Sequence, residues 1–357
     1  MNNLIKYGIN SFFTAQALQY PELSIARVIS QYRDLYKIAT SNGECLAEVS
    51  GKFRFKNRIL SNFPVVGDFV MFDECDSNTG HMVIHDILSR QSKFERVAVG
   101  KTKQTQLIAA NIDIVFICMS LNNDYNLSRL ERYLITAWDS GGTPIIILTK
   151  SDLCDDLSAL LSEVSTVAAG VDILPTSSHD KNSYKKLLSY LREGVTASFI
   201  GSSGVGKSTL INCLAGKKLL TTSPIRKDDK GRHTSTRREL IVLPDGGIVI
   251  DNPGMRELGI EAVDLSRSFA DIETLIQKCK FNDCKHDGEP GCAVHSAIEC
   301  GELDSRRLKN YRKLLKEARY SGLDSKQIEV EKCKQMFSKV GGMKKARKLL
   351  KQKKDHY

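Results

Sequence analysis

The sequence predicts a multidomain α/β protein in three parts: an N-terminal β-barrel, a central mostly parallel sheet covered by helices, and a C-terminal helical domain carrying cysteines. Three observations predict it. Residues 25–87 read as short strands broken by turns, with no helix-length periodicity. Between residues 112 and 250, buried strands alternate with amphipathic stretches. Beyond about residue 264 the pattern turns helical and three cysteines crowd together. A chain of 357 residues exceeds one typical domain, and 41% apolar with 26% charged residues allows a sizeable core. The expected domains are 1–95, 96–263 and 264–357.

The barrel rests on residues 26–29, 46–49 and 68–72, which are apolar or β-branched, and on the turns Asn42-Gly43, Gly51-Lys52 and Asn78-Thr79-Gly80. Arg27, Arg33, Lys52, Arg54, Lys56 and Arg58, with Phe53 and Phe55 interleaved, give it the look of an oligonucleotide-binding (OB) barrel. An ordinary solvated face has the same composition. Residues 91–106 are polar and basic and read as a linker.

The central domain begins with the buried strand of residues 112–117. Leu130, Leu134, Ala137 and Trp138 recur at helical spacing, and residues 144–148 form a second buried strand. The rhythm continues through residues 198–200 and 247–250. A net charge of +10 suits a polyanionic partner, most often nucleic acid, although a merely basic enzyme shares it. The first residues lack the apolar core of a signal peptide, and no apolar run is long enough to span a bilayer. The ten cysteines are scattered, with Cys118 and Cys213 in apolar runs, so a reduced cytoplasmic setting with no membrane partner is expected.

Gly201-Ser202-Ser203-Gly204-Val205-Gly206-Lys207-Ser208-Thr209 follows a strand and opens a helix, matching G-x-x-x-x-G-K-[ST]. The glycines let successive N–H groups face a phosphate, and the helix N-terminus adds partial positive charge. Lys207 reaches the β- and γ-phosphates, and Ser208 offers an oxygen to Mg²⁺.

Thr149-Lys150-Ser151-Asp152 ends an apolar strand. A carboxylate there can accept from guanine N1–H and N2–H₂, a donor pair that adenine lacks. Lys150 can lie along the base. Pro175-Thr176-Ser177-Ser178 ends the next strand, and the backbone at Ser177 and Ser178 can donate to guanine O6.

Asp251-Asn252-Pro253-Gly254 fits D-x-x-G, in which Asp251 holds Mg²⁺ through water and the Gly254 N–H senses a γ-phosphate. The loop Gly231-Arg232-His233-Thr234-Ser235-Thr236 is the expected switch I, where Thr234 or Thr236 could complete the Mg²⁺ shell. Met255 stands where many GTPases place a water-orienting Gln. Unassisted turnover is therefore expected to be slow, on the order of 10⁻⁴ to 10⁻² s⁻¹. His233 is the candidate catalytic substitute, with a structural or RNA-contacting role as the alternative. The guanine motif precedes the phosphate loop, the reverse of the ordinary GTPase order, so the domain is circularly permuted.

Cys279, Cys284, His286 and Cys292 give C-x₄-C-x-H-x₅-C, three thiolates and an imidazole suited to one structural Zn²⁺. His295 is a rival fourth ligand, and Cys300 is a structural cysteine. The basic run at residues 343–354 reads as a helix or an arm suited to phosphate contact, or as a solubilising tail.

Together these residues resemble the RsgA/YjeQ family, the bacterial circularly permuted GTPases dependent on the small ribosomal subunit. The resemblance spans nearly the whole chain and includes Ala110-Asn111-Ile112-Asp113, G-R-H-T-S-T, D-N-P-G-M-R-E-L and F-N-D-C-K-H-D-G-E-P-G-C-A-V. It implies an OB barrel, a permuted GTPase centre and a zinc domain. It also implies hydrolysis of GTP to GDP and phosphate on the 30S subunit, late in its maturation, in contact with 16S rRNA. An apolar residue in place of the catalytic Gln and a proposed catalytic His in switch I, here Met255 and His233, fit the family. Thr149 and Asn252 depart from it, where Asn and Thr are commoner. A monomer is expected. The rivals are an ATP-using phosphotransferase, against which Asp152 argues, and an RNA-binding scaffold with negligible turnover.

Overall fold

A computed structural model of the chain describes residues 2–33, 35–57, 59–73, 80–97, 105–122, 124–220, 238–251, 265–320 and 325–338. Two short helices, α1 (Asn2–Ile5) and α2 (Ser11–Ala17), open the chain. Asn10 caps α2, its side chain accepting from Phe12 N and Phe13 N at 3.0 and 3.3 Å.

Five strands then close into a barrel: β1 (Ser24–Gln31), β2 (Tyr36–Thr40), β3 (Gly43–Val49), β4 (Phe69–Asp73) and β5 (Met82–Ile87), with helix α3 (Gly51–Lys56) between β3 and β4. The pairings run β1-β2-β3-β5-β4 and back to β1. All are antiparallel except β3–β5. Val28, Ile38, Ala47, Val70, Phe72 and Ile84 fill the interior.

Three expectations for the barrel and the stretch that follows it are corrected. The Gly51-Lys52 turn is the start of a helix, capped by Ser50 Oγ accepting from Phe53 N at 3.1 Å. Arg27 does not belong to a solvated basic face. It is 1% exposed, donating to the carbonyls of Gly67 (3.2 Å), Tyr7 (2.5 Å) and Asn111 (3.1 Å). Its strand is buried on both sides: Ala26 and Val28 face the barrel interior, Arg27 meets the turn at Tyr7 and Gly8, and Ile29 joins the core of the central domain. Burial pulls the Arg27 guanidinium down to about 10. Nor is the stretch after the barrel a plain linker: β6 (Lys93–Val97) pairs antiparallel with β7 (Thr105–Ala110).

The central domain comprises β8 (Ile114–Ser120), α4 (Leu127–Asp139), β9 (Thr143–Thr149), α5 (Leu157–Val167), β10 (Ile173–Thr176), α6 (Lys181–Lys185), β11 (Thr196–Ile200), α7 (Lys207–Ala215), β12 (Glu239–Val242) and β13 (Ile248–Asp251). The sheet order is β10-β9-β8-β11-β13-β12. Every pairing in it is parallel except β12–β13. Period-two alternation divides each buried strand between two cores. Val115, Ile117 and Met119 face α4 and α5, whereas Phe116 and Cys118 face α6 and α7. The chain runs outward through β8, β9 and β10, then returns to place β11 on the other side of β8. That reversal makes a crevice at the carboxyl ends of β8 and β11, the place where such sheets bind ligands.

The C-terminal part is helical: α8 (Ala270–Gln277), α9 (Ala293–Glu299), α10 (Ser305–Tyr320) and α11 (Ser325–Ser338). Its core gathers Leu265, Phe269, Ile272, Val294, Leu308 and Leu314. It docks on α4 through Glu131, fully buried, which accepts from Arg307 Nη1 (2.8 Å), Arg306 Nη1 (3.3 Å) and Asn310 Nδ2. Arg132 makes a bidentate pair with Glu317 at 2.6 and 3.1 Å. On the barrel side, Ser30 of β1 registers with Glu239 of β12, so one eleven-stranded sheet runs through both domains.

Candidate nucleotide site and metal centre

The phosphate loop occupies the crevice between β11 and α7. Gly201 has φ 142° and lies so close to β8 that a Cβ there would meet the Cys118 carbonyl oxygen at 2.2 Å. Only glycine lets the loop leave the sheet at this point. Gly206 stands at the N-terminus of α7 with φ 101° and caps it with no side chain. Gly206 supplies no capping side chain, so the start of α7 and its dipole are turned to the crevice and favour an anion. Lys207 folds back over the loop, Nζ donating to the carbonyls of Gly201 and Ser202 at 2.7 and 2.6 Å. Ser203 and Ser208 are half-buried, Gly204 is exposed, Val205 is buried, and Thr209 continues the helix.

The guanine motif and the second loop leave the sheet side by side, because Thr149 of β9 registers with Thr176 of β10. Thr149 is buried, and its Oγ1 donates to the Val205 carbonyl at 2.6 Å, fastening the end of β9 to the phosphate loop. Lys150 takes a left-handed conformation, φ 57°, which turns the chain out of the strand. Asp152 follows in a single 3₁₀ turn. A hydrogen bond from the Ser177 hydroxyl holds its carboxyl below the usual range against a small opposing effect of burial. Ser177 is buried and fixes its own loop, Oγ accepting from His179 N at 3.1 Å, while Ser178 is exposed.

Asp251 ends β13, next to β11, with its carboxyl on the loop side. Burial pushes it above the usual carboxylate range, and the charge of Lys207 opposes that rise. Lys207, Ser208 and Asp251 thus converge from two adjacent strand ends. His233, Thr234, Thr236, Gly254 and Met255 lie outside the described residues, as do Arg58 and the run from residue 343.

Sequence reasoning passed over Arg129. Asn126 caps α4, accepting from Arg129 N at 2.9 Å, and so sets Arg129 in the first turn after β8. From there Nη1 reaches Ser202 Oγ at 2.5 Å and Asp124 Oδ1 at 2.6 Å. An arginine in the first helical turn after a strand at the switch point was the available signal.

In the C-terminal domain, Cys279, Cys284, His286 and Cys292 bring their ligand atoms within 4.8 Å of one another. Both Cys279 Sγ and Cys292 Sγ lie 3.5 Å from His286 Nδ1, and 4.0 Å from each other. His286 reaches inward from a left-handed backbone, φ 60°. Glu289 ties the loop by accepting from Lys285 N (3.0 Å) and Asp287 N (2.7 Å); these N–H bonds, with that of its own backbone, hold its carboxyl down to about 2. Arg312 of α10 donates to the carbonyls of Lys285 and His286 at 2.6 and 3.0 Å. The rival ligand His295 stands outside the cluster, its Nδ1 3.3 Å from Glu299. Cys300 is exposed and also outside it. The four grouped donors could hold a metal ion.

Comparison with known proteins decides the family. A family model described as RsgA GTPase matches residues 87–261. A model described as ABC transporter matches residues 184–351, sharing the phosphate loop but not the guanine motif at 149–152. The small ribosomal subunit biogenesis GTPase RsgA 2 of Lactiplantibacillus plantarum is 48% identical over 346 residues, covering 97% of each chain. The chain belongs to the RsgA GTPase family. RsgA 1 of Listeria innocua is 45% identical, over 89% of this chain and 90% of its own. Among solved structures, YjeQ from Thermotoga maritima matches with a TM-score of 0.61 at 26% identity, covering 83% of this chain and 98% of that one. YloQ, a circularly permuted GTPase, matches at 0.58 and 26%, covering 83% and 95%. The OB-like barrel and permuted order seen here are thus those of RsgA proteins.

Proposed function

We propose that this protein hydrolyses GTP on the small ribosomal subunit and assists or checks the late maturation of that subunit. The observation that carries the reading is one crevice uniting the phosphate loop, the carboxylate of Asp152 and the Ser177 loop, locked together by the Thr149–Val205 bond. Asp152 accepts from guanine N1–H and N2–H₂, the Ser177–Ser178 backbone donates to O6, and Lys150 covers the base. The N–H groups of residues 203–209 and Lys207 hold the β- and γ-phosphates. Their charge falls where negative charge builds up as the γ-phosphate bond breaks.

Magnesium fits the hydroxyl of Ser208 and the carboxylate of Asp251, hard oxygen donors beside the phosphate loop, with Thr234 or Thr236 completing the set. When bound it would neutralise phosphate charge. Gly254 is read as the γ-phosphate sensor. His233 is the candidate that orients the attacking water, since Met255 has no polar group to do so. Zinc fits the Cys/His set: Zn–S bonds near 2.3 Å imply tetrahedral edges of about 3.8 Å, close to the separations of 3.5 and 4.0 Å. Four protein donors leave no open position, so the ion is structural.

The partner is the 30S subunit with its 16S rRNA, to which the net charge of +10 is complementary. A monomer in the cytoplasm fits this role, and among the described residues no helix is long and apolar enough to cross a membrane. Helix α4 touches the phosphate loop through Arg129 and holds the C-terminal domain through Glu131 and Arg132. Nucleotide state and subunit contact are thereby coupled, through α4 as well as through switch II at residues 251–257.

The deciding experiment is GTP turnover by the purified protein, alone and with purified small subunits. Strong stimulation is expected. GTP binding without stimulation would favour the RNA-binding scaffold instead. Unchanged stimulated turnover in His233→Ala, with nucleotide affinity intact, would remove that residue from catalysis.

A further inference from the structure

Helix α3 stands at one pole of the barrel and carries a side chain the fold does not use. Ser50 caps it, Ser50 N donates to the Ile84 carbonyl at 2.9 Å, and Asn57 Nδ2 closes it on the Phe53 carbonyl at 3.1 Å. Phe53 points inward, 6% exposed, its ring 5.8 Å from that of Phe63 at 79°. At 100° per residue, Phe55 lies about 160° around the helix from Phe53. It must therefore face out, and it is 80% exposed, with Ile59 63% exposed just beyond. Lys52, one turn back, lies beside Phe55 on the same face, and Arg54 and Lys56 flank it; all three are exposed. No acidic residue occurs between residues 49 and 67.

We propose that α3 is a nucleic-acid contact in which the Phe55 ring stacks on an unpaired base of ribosomal RNA, while Lys52 and Lys56 bind the flanking phosphates. This rests on the subunit-binding reading above and adds to it a particular surface and a single-stranded or bulged target. The charge of the patch selects the occupant. An apolar protein partner gains nothing from a ring of cations, whereas a polynucleotide offers a π-face to Phe55 and phosphates to its neighbours. An unpaired base is required, because an aromatic ring on a helix surface cannot reach bases within an A-form stack.

The test measures binding of the full chain to purified small subunits, with a non-hydrolysable GTP analogue, across a range of salt concentrations. Phe55→Ala is expected to weaken binding roughly tenfold, the loss of one stacked base, with unstimulated GTP turnover and thermal midpoint unchanged. Phe55→Trp retains affinity, and its fluorescence is quenched in the complex. Lys52→Ala with Lys56→Ala lowers the salt slope by about 1.5. A photo-crosslink from 4-benzoylphenylalanine at position 55 lands on an rRNA nucleotide. Binding by Phe55→Ala within twofold of the unsubstituted protein, or a crosslink to a ribosomal protein, overturns the inference. Failure of the unsubstituted protein to bind subunits would overturn the reading beneath it, and this one with it.

Discussion

Arg129 Nη1 donates to Ser202 Oγ at 2.5 Å while the same guanidinium pairs with Asp124 at 2.6 Å. The first variable residue of the phosphate loop is therefore held by a charge on α4. Arg129→Ala removes a charge-assisted bond of about 1.5–3 kcal/mol in favourable settings. Because Arg129 is a third exposed, the lower end applies, and GTP and GDP affinity should each fall by about tenfold. Titration with a fluorescent guanine nucleotide measures this, and wild-type affinity would show the bond to be incidental.

The Thr149 hydroxyl is what bonds the end of β9 to the Val205 carbonyl. Thr149→Val keeps the shape and leaves a buried carbonyl without its donor, at a cost of about 1–3 kcal/mol. Guanine-nucleotide affinity should drop while the protein stays folded, and Thr149→Ser should restore most of it.

Asp152→Asn replaces an acceptor by an amide that can donate. Xanthine carries a carbonyl where guanine carries its amino group, so preference should move from GTP towards XTP. Competition between the two nucleotides reads this directly. A variant that still prefers GTP by the original ratio would mean that Asp152 does not touch the base.

The Cys279–Cys284–His286–Cys292 set predicts one tightly held ion per chain. Elemental analysis should return one zinc, and Cys284→Ser or a strong chelator should lower the thermal midpoint of the C-terminal domain. A stoichiometry near zero in protein purified without chelator would remove the metal centre.

Glu131 is fully buried between domains with Arg307 and Asn310 against it. Glu131→Ala strands those donors and is expected to cost about 3–5 kcal/mol, read as early proteolysis after residue 264. If coupling also runs through α4, this variant should narrow the difference in subunit affinity between the GDP and GTP-analogue states. Equal affinities in the unsubstituted protein would refute the coupling itself.

What could be read in the sequence was what is local. The phosphate loop depends on glycine spacing within nine residues, and the buried strands announce themselves as apolar runs. Spacing left His286 and His295 both open as a partner for the three cysteines; in the folded chain it is His286 Nδ1 that lies among their sulfurs. Burial of charge was not legible. Arg27 looks like any surface arginine until Tyr7, Gly67 and Asn111 meet around it. Glu131 and Arg307 are 176 residues apart and become partners only when α10 lies on α4. The helix at α3 is six residues long, too short for periodicity to reveal.

The position of β11 between β8 and β13 has a consequence for synthesis. Strands β8, β9 and β10 leave the ribosome first, and β8 then presents a bare, apolar edge, Ile114–Ser120, until β11 arrives. About 75 residues separate the two, so at 5–20 residues per second that edge waits for roughly 4–15 s. An unpaired strand edge of this kind is a template for wrong pairing. In this chain order the interior strand β8 is made well before its neighbour β11, so one of its edges stays uncovered for that whole interval.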